Sequence, residues 1–66
     1  MNKNEAERLA RSITEEMPSV QVAIIPKKHH QAETTYTLKL HHLKKRRILQ
    51  MHDVETWPSI RGVWSL

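Results

Sequence analysis

A chain of 66 residues without cysteine has room for a single domain, residues 1–66. It must hold that domain with one small core, because a chain this short buries only about 60% of its unfolded surface, and no disulfide, thiolate nucleophile or cysteine zinc site is open to it. The net charge of +4 favours an acidic partner, and the longest apolar run, Val22-Ala23-Ile24-Ile25, falls far short of the ~20 residues that cross a bilayer. No apolar signal segment follows the first residues, so a cytoplasmic protein without membrane contact is expected.

Asn4 with Glu7 three residues later reads as an N-cap and its capping-box partner, which predicts a helix starting there. Ala6, Leu9, Ala10, Ile13 and Met17 recur on one helical face, Glu7 and Arg11 form an i, i+4 pair, and Pro18 ends the helix near Glu16. Val20 to Ile25 is β-branched and bounded by Pro18-Ser19 and Pro26, which predicts a short and largely covered strand. Pro26 to Glu33 has no apolar period and reads as a mobile connection.

Thr34 to His41 alternates strictly, with Tyr36, Leu38 and Leu40 toward a core and Thr35, Thr37, Lys39 and His41 away from it. A reversal through His42-Leu43-Lys44-Lys45 leads to a third strand over Arg47 to His52, with Leu49 and Met51 inward. No Gly, Asn or Pro marks that turn. In the tail, Thr56 can cap a short helical turn that has Pro58 in its first positions and Trp57, Ile60 and Trp64 on one face, weakened by Gly62. The expected fold is α+β: an N-terminal helix packed on a three-stranded antiparallel sheet, closed by a short C-terminal helical turn or irregular cap. The expected core is Leu9, Ile13, Tyr36, Leu38, Leu40, Leu49 and at least one tryptophan.

The positive charge is concentrated. Residues 27–47 carry Lys27, Lys28, Lys39, Lys44, Lys45, Arg46 and Arg47 against Glu33 alone, a local charge of +6, whereas the segments on either side are each net −1. With His41 and His42, these seven residues make the candidate nucleic-acid contacts, since Lys and Arg neutralise phosphates and a two-stranded ribbon fits a major groove. Thr35, Thr37, Lys39, His41, Gln50 and His52 would then share the uncovered sheet face. Any half-exposed sheet is polar outside, and a solvated cationic turn also serves solubility. Tyr36 is the one aromatic on the second strand and points inward, which gives base stacking little support.

Five histidines occur as His29-His30, His41-His42 and His52, a spacing unlike any standard zinc pattern, and adjacent strand residues point to opposite faces. They read as exposed polar rings beside the basic patch rather than as metal ligands. His52-Asp53 diverge on a strand, Glu15-Glu16 sit at a helix end, and no phosphate loop or nucleophile motif occurs, so neither catalysis nor a metal or cofactor is expected. Trp57 and Trp64 each carry on the order of 200 Å² of burial area. They close the core or, alternatively, form a protein-interaction surface. The sequence thus points to a small basic protein that binds or accompanies nucleic acid, DNA or RNA, through a cationic hairpin. The alternative is an interaction module or regulatory adaptor for an acidic protein surface, monomeric or homodimeric, using the Trp segment or a sheet edge.

Overall fold

The computed structural model describes residues 1–65 and has the order α1 (Lys3–Glu16), β1 (Val20–His29), β2 (Ala32–His42), β3 (Arg47–Met51) and α2 (Thr56–Trp64). The three strands form one antiparallel sheet in the order β1-β2-β3. The fold is the α+β arrangement expected, with β2 at its centre. Both helices lie on the same side of the sheet. Ala6, Ile13 and Met17 of the first helical segment, Val20, Leu38, Leu40 and Met51 from the strands, and Trp57 and Trp64 from α2 make the buried core, with Met1, Leu9, Ala10, Val22, Tyr36, Leu49 and Ile60 packed against it.

The start of α1 lies two residues before the expected one. Asn2 caps it, accepting from the Glu5 N–H at 2.8 Å while the Glu5 carboxylate accepts from the Asn2 N–H at 3.0 Å. Asn2 and Asn4 both precede a glutamate by three, so the local pattern fits either frame. Tertiary bonding decides: the Met1 carbonyl accepts from the Tyr36 N–H at 2.8 Å, and the Met1 amino group donates to the carbonyls of Tyr36 and His52. This ties the chain to β2 just before the helix. Glu7 and Arg11 are both exposed, and among the described residues the ion pair is instead Glu16 with Arg61, at 2.6 Å between the ends of α1 and α2.

β1 corrects two expectations. It runs on past Pro26 to His29, and it is not largely covered: Val20 is buried and Val22 half-buried, but every residue from Ala23 to His29 is exposed. The segment read as a mobile connection is therefore a two-stranded ribbon, closed by His30-Gln31 with Gln31 at φ 58° and with a register shift between Lys27 and His29. Pro26 is tolerated because of its ladder position. It lies opposite Tyr36, whose N–H and carbonyl both bond to Met1 on the far side. By the alternation of an antiparallel ladder, the Pro26–Tyr36 pair makes no bond that a proline could lose.

The other elements match the pattern more closely. β2 and β3 keep the expected alternation, and the β2–β3 turn is Leu43 to Arg46, with His42 still in the strand and Arg46 at φ 53°. Leaving glycine out of both turns puts a residue with a Cβ in the left-handed region. α2 is a real helix of nine residues. Thr56 is its first helical residue rather than its cap, because the Thr56 and Trp57 amides donate to the Asp53 and Val54 carbonyls and Pro58 has no amide to satisfy. Leu66 lies outside the described residues.

Candidate nucleic-acid interface

Because side chains alternate along a strand, cross-strand register fixes which residues share a face. The pairs Gln21–His41–Ile48 and Ala23–Lys39–Gln50 form two rows across all three strands, and Ile25–Thr37 and Lys27–Thr35 continue them toward the β1–β2 tip. These residues lie on the face opposite Leu38, Leu40 and the helices. His52 joins them through a 3.0 Å hydrogen bond between its Nδ1 and Thr37 Oγ1, and a 2.7 Å bond between His29 Nε2 and Thr35 Oγ1 holds a second ring beside the same face. The expected set Thr35, Thr37, Lys39, His41, Gln50 and His52 is thus brought together. The pattern had missed the contribution of β1: Gln21, Ala23, Ile25 and Lys27 complete the surface. Its signal was the alternation of Val20, Val22 and Ile24 with Gln21, Ala23 and Ile25.

This face holds Lys27, Lys39 and three imidazoles, and no carboxylate from Gln21 to Lys27, from Thr35 to His41, or from Ile48 to His52. Four of the chain's seven carboxylates, Glu5, Glu7, Glu15 and Glu16, sit on α1. Asp53 and Glu55 lie in the β3–α2 connection and Glu33 near the ribbon tip. Most of the acid is therefore on the helical side, with Glu33 on β2 the exception. Ala23, Ile25 and Ile48 give the open face apolar ground as well, Ile48 being 60% exposed.

The candidate contacts divide into several groups. Lys27, Lys28, Lys39, Lys44, Lys45 and Arg46 are exposed and His41 is half-buried on the open face. His42 is on the other face and buried, its ring 6.1 Å from that of Trp64 and tilted against it, with Nδ1 accepting from the Lys45 N–H at 3.4 Å. It packs the core and does not reach a phosphate, a correction that follows from its even position on β2. Arg47 is exposed, but its guanidinium donates to the Val63 carbonyl at 3.5 Å, in the last turn of α2. Trp57 and Trp64 are 5% and 7% exposed. They close the core, the first of the two roles read for them, and buried rings leave the alternative docking surface without its anchors.

One arrangement was invisible in the sequence. α1 ends at Glu16 and α2 at Trp64, and the cleft between those ends is lined by Glu16, Met17, His42, Lys44, Lys45, Trp64 and Ser65. Two helix C-termini, each with a partial negative charge, meet the basic β2–β3 turn. Part of the turn's positive charge therefore stabilises its own fold, each contact contributing about 0.3–1 kcal/mol. Arg47 has this role most directly.

The basic groups also lie farther apart than their closeness in sequence implies. Lys27 and Lys28 are at the ribbon tip and Lys44 to Arg46 at the opposite end of β2, with Lys39 between them. The molecule is elongated accordingly, 41 × 19 × 18 Å. Among the described residues no three His, Asp or Glu side chains gather in a way that could hold a metal ion, and no helix is long and apolar enough to cross a membrane. No family model, curated protein or solved structure matches this chain.

Proposed function

We propose that the protein binds nucleic acid through the open face of its sheet and the two ends beside it, using Lys27, Lys39 and His41 on the face, Lys28 near the ribbon tip, and Lys44, Lys45 and Arg46 in the β2–β3 turn as phosphate contacts. The observation that carries the reading is the charge segregation. From the Lys27–Thr35 pair to His41 and Ile48, a sheet face that neither helix covers presents cations and hydrogen-bond donors with no carboxylate among them, Glu33 lying beyond that stretch near the ribbon tip, while four of the seven carboxylates are on α1. Thr35, Thr37, Gln21 and Gln50 add the neutral donors that such interfaces use on phosphate and sugar oxygens.

An adaptor role is the second reading. Ile24 and Ile25, 37% and 39% exposed on edge strand β1, favour it. The edge itself offers little, however. The Val20 N–H is used by the Met17 carbonyl, Pro26 has none, and the ladder alternation leaves chiefly Val22 and Ile24 to pair with an added strand.

Titrating labelled DNA and RNA with the purified protein separates the two. Binding is expected at low salt and should weaken steeply as salt rises, by about 0.9 in log affinity per log unit of salt for each phosphate neutralised on a B-form duplex. Replacing Lys44, Lys45 and Arg46 together by glutamine should reduce binding and shallow that slope while leaving the protein folded, with a loss of stability limited to the helix-end contacts of Lys44 and Lys45, about 0.3–1 kcal/mol each. Arg47 is kept in this variant because it holds the end of α2. Absence of binding to any nucleic acid at low salt would favour the adaptor.

A further inference from the structure

We infer that β1 is the seam of a homodimer, in which two copies of the chain join edge to edge through Val22 and Ile24 so that their three-stranded sheets continue into one. This inference stands apart from the nucleic-acid reading. β1 is an edge strand, and bonds at its start fix which backbone groups face β2. The Ser19 carbonyl accepts from the Leu43 N–H at 3.0 Å on the sheet side, whereas the Val20 N–H donates to the Met17 carbonyl, away from β2. The β1–β2 register then runs unbroken from Val20–His42 to Lys27–Thr35, so the N–H and carbonyl groups of Val22 and Ile24 point outward. Among the described residues none of these groups has another backbone partner.

This stretch is short for a foreign strand, but it matches itself. When two copies of β1 run antiparallel with Ala23 at the twofold axis, Val22 of each faces Ile24 of the other, and every outward group of both residues is bonded. Sliding the copies by two residues sets the Ile24 carbonyl against Val20, whose N–H is taken, or the Val22 carbonyl against Pro26, which has none. In the Ala23-centred register Val20 meets Pro26, so no donor is lost. The side chains agree. Edges are commonly guarded by charge, yet no charged residue lies between Val20 and Pro26, and Lys27 falls opposite Ser19 of the other copy. Ile24 and Ile25, 37% and 39% exposed, are met by Val22 and Gln21 of the other copy. A seam this short buries less than the roughly 1,600 Å² of a standard interface, so the dimer should dissociate on dilution.

Sedimentation of the full chain without nucleic acid, from about 10 μM to about 1 mM, should show a mass rising from monomer toward dimer. Because the chain has no cysteine, a single introduced one can form only intermolecular disulfides. A23C should cross-link under mild oxidation, since facing residues of a non-hydrogen-bonded pair have Cα atoms about 4.5 Å apart, within disulfide reach. Q21C and I25C lie about 14 Å from their own copies in this register. Each should cross-link poorly alone and readily when the two are mixed. I24P removes an outward N–H and no bond to β2, and should leave a folded monomer. A chain that stays monomeric throughout the range, or Q21C or I25C alone cross-linking as fast as A23C, overturns the inference and leaves the nucleic-acid reading standing. If I24P does not fold, the cysteine set decides, its three positions all being exposed.

Discussion

Replacing Trp64 by alanine is expected to cost about 3–5 kcal/mol, the usual loss for truncating a large buried aromatic. Trp64 is 7% exposed, packs on the buried His42 ring, and lines the cleft where the ends of α1 and α2 meet. At roughly 0.05–0.15 kcal/mol per residue, a domain of this size has only about 3–10 kcal/mol in all. The variant should therefore lose between about a third and all of its stability and melt at a much lower temperature. Circular dichroism melts check this, and tryptophan emission in the unaltered chain should be blue-shifted at every protein concentration. A folded Trp64→Ala chain, with emission in the parent that shifts on dilution, would mean that the ring serves an association surface instead.

Leu38→Ala is expected to cost about 2–5 kcal/mol, because Leu38 is fully buried at the centre of β2 and sits opposite Ile24 on one side and Met51 on the other. The neighbouring substitution is the control. Lys39 points to the open face, so Lys39→Ala should change stability by no more than about 0.5 kcal/mol while weakening nucleic-acid binding. Urea melts of the two variants read the strand's alternation directly. Similar costs at both positions would contradict the assigned faces.

The central strand was legible because its period of two is strict: Tyr36, Leu38 and Leu40 against Thr35, Thr37, Lys39 and His41 leave one way to lay β2 on a core. The apolar face of α1 was legible for the same reason at helical period. What escaped was set by contacts between distant segments. Pro26 reads locally as a strand terminator, and only the bonding of Tyr36 to Met1 shows that it falls where no ladder bond is needed. Both hairpin turns place a residue other than glycine at positive φ, Gln31 and Arg46, so neither carries the Gly or Asn that usually announces such a turn.

The site was legible in composition and less so in arrangement. The run from His41 to Arg47 looks like one patch, but strand parity sends His41 to the open face and His42 into the core, and the convergence of two helix ends engages Arg47 with Val63. The β1–β2 ribbon, in turn, moves Lys27 and Lys28 to the far end of the molecule from the turn they were grouped with. Charge counting found the basic cluster, and pairing register sorted its members into an exposed set, a buried ring at His42 and a helix-end contact at Arg47.

Amide chemical-shift mapping with unlabelled duplex DNA added to the isotope-labelled protein tests the central claim most directly. The largest shifts are expected at Ala23, Lys27, Thr37, Lys39, His41 and Gln50 and in the turn from Lys44 to Arg46, with the exposed helix positions Glu7, Arg11 and Glu15 unmoved. Shifts concentrated on α1 or α2, with the open sheet face silent, would contradict the account.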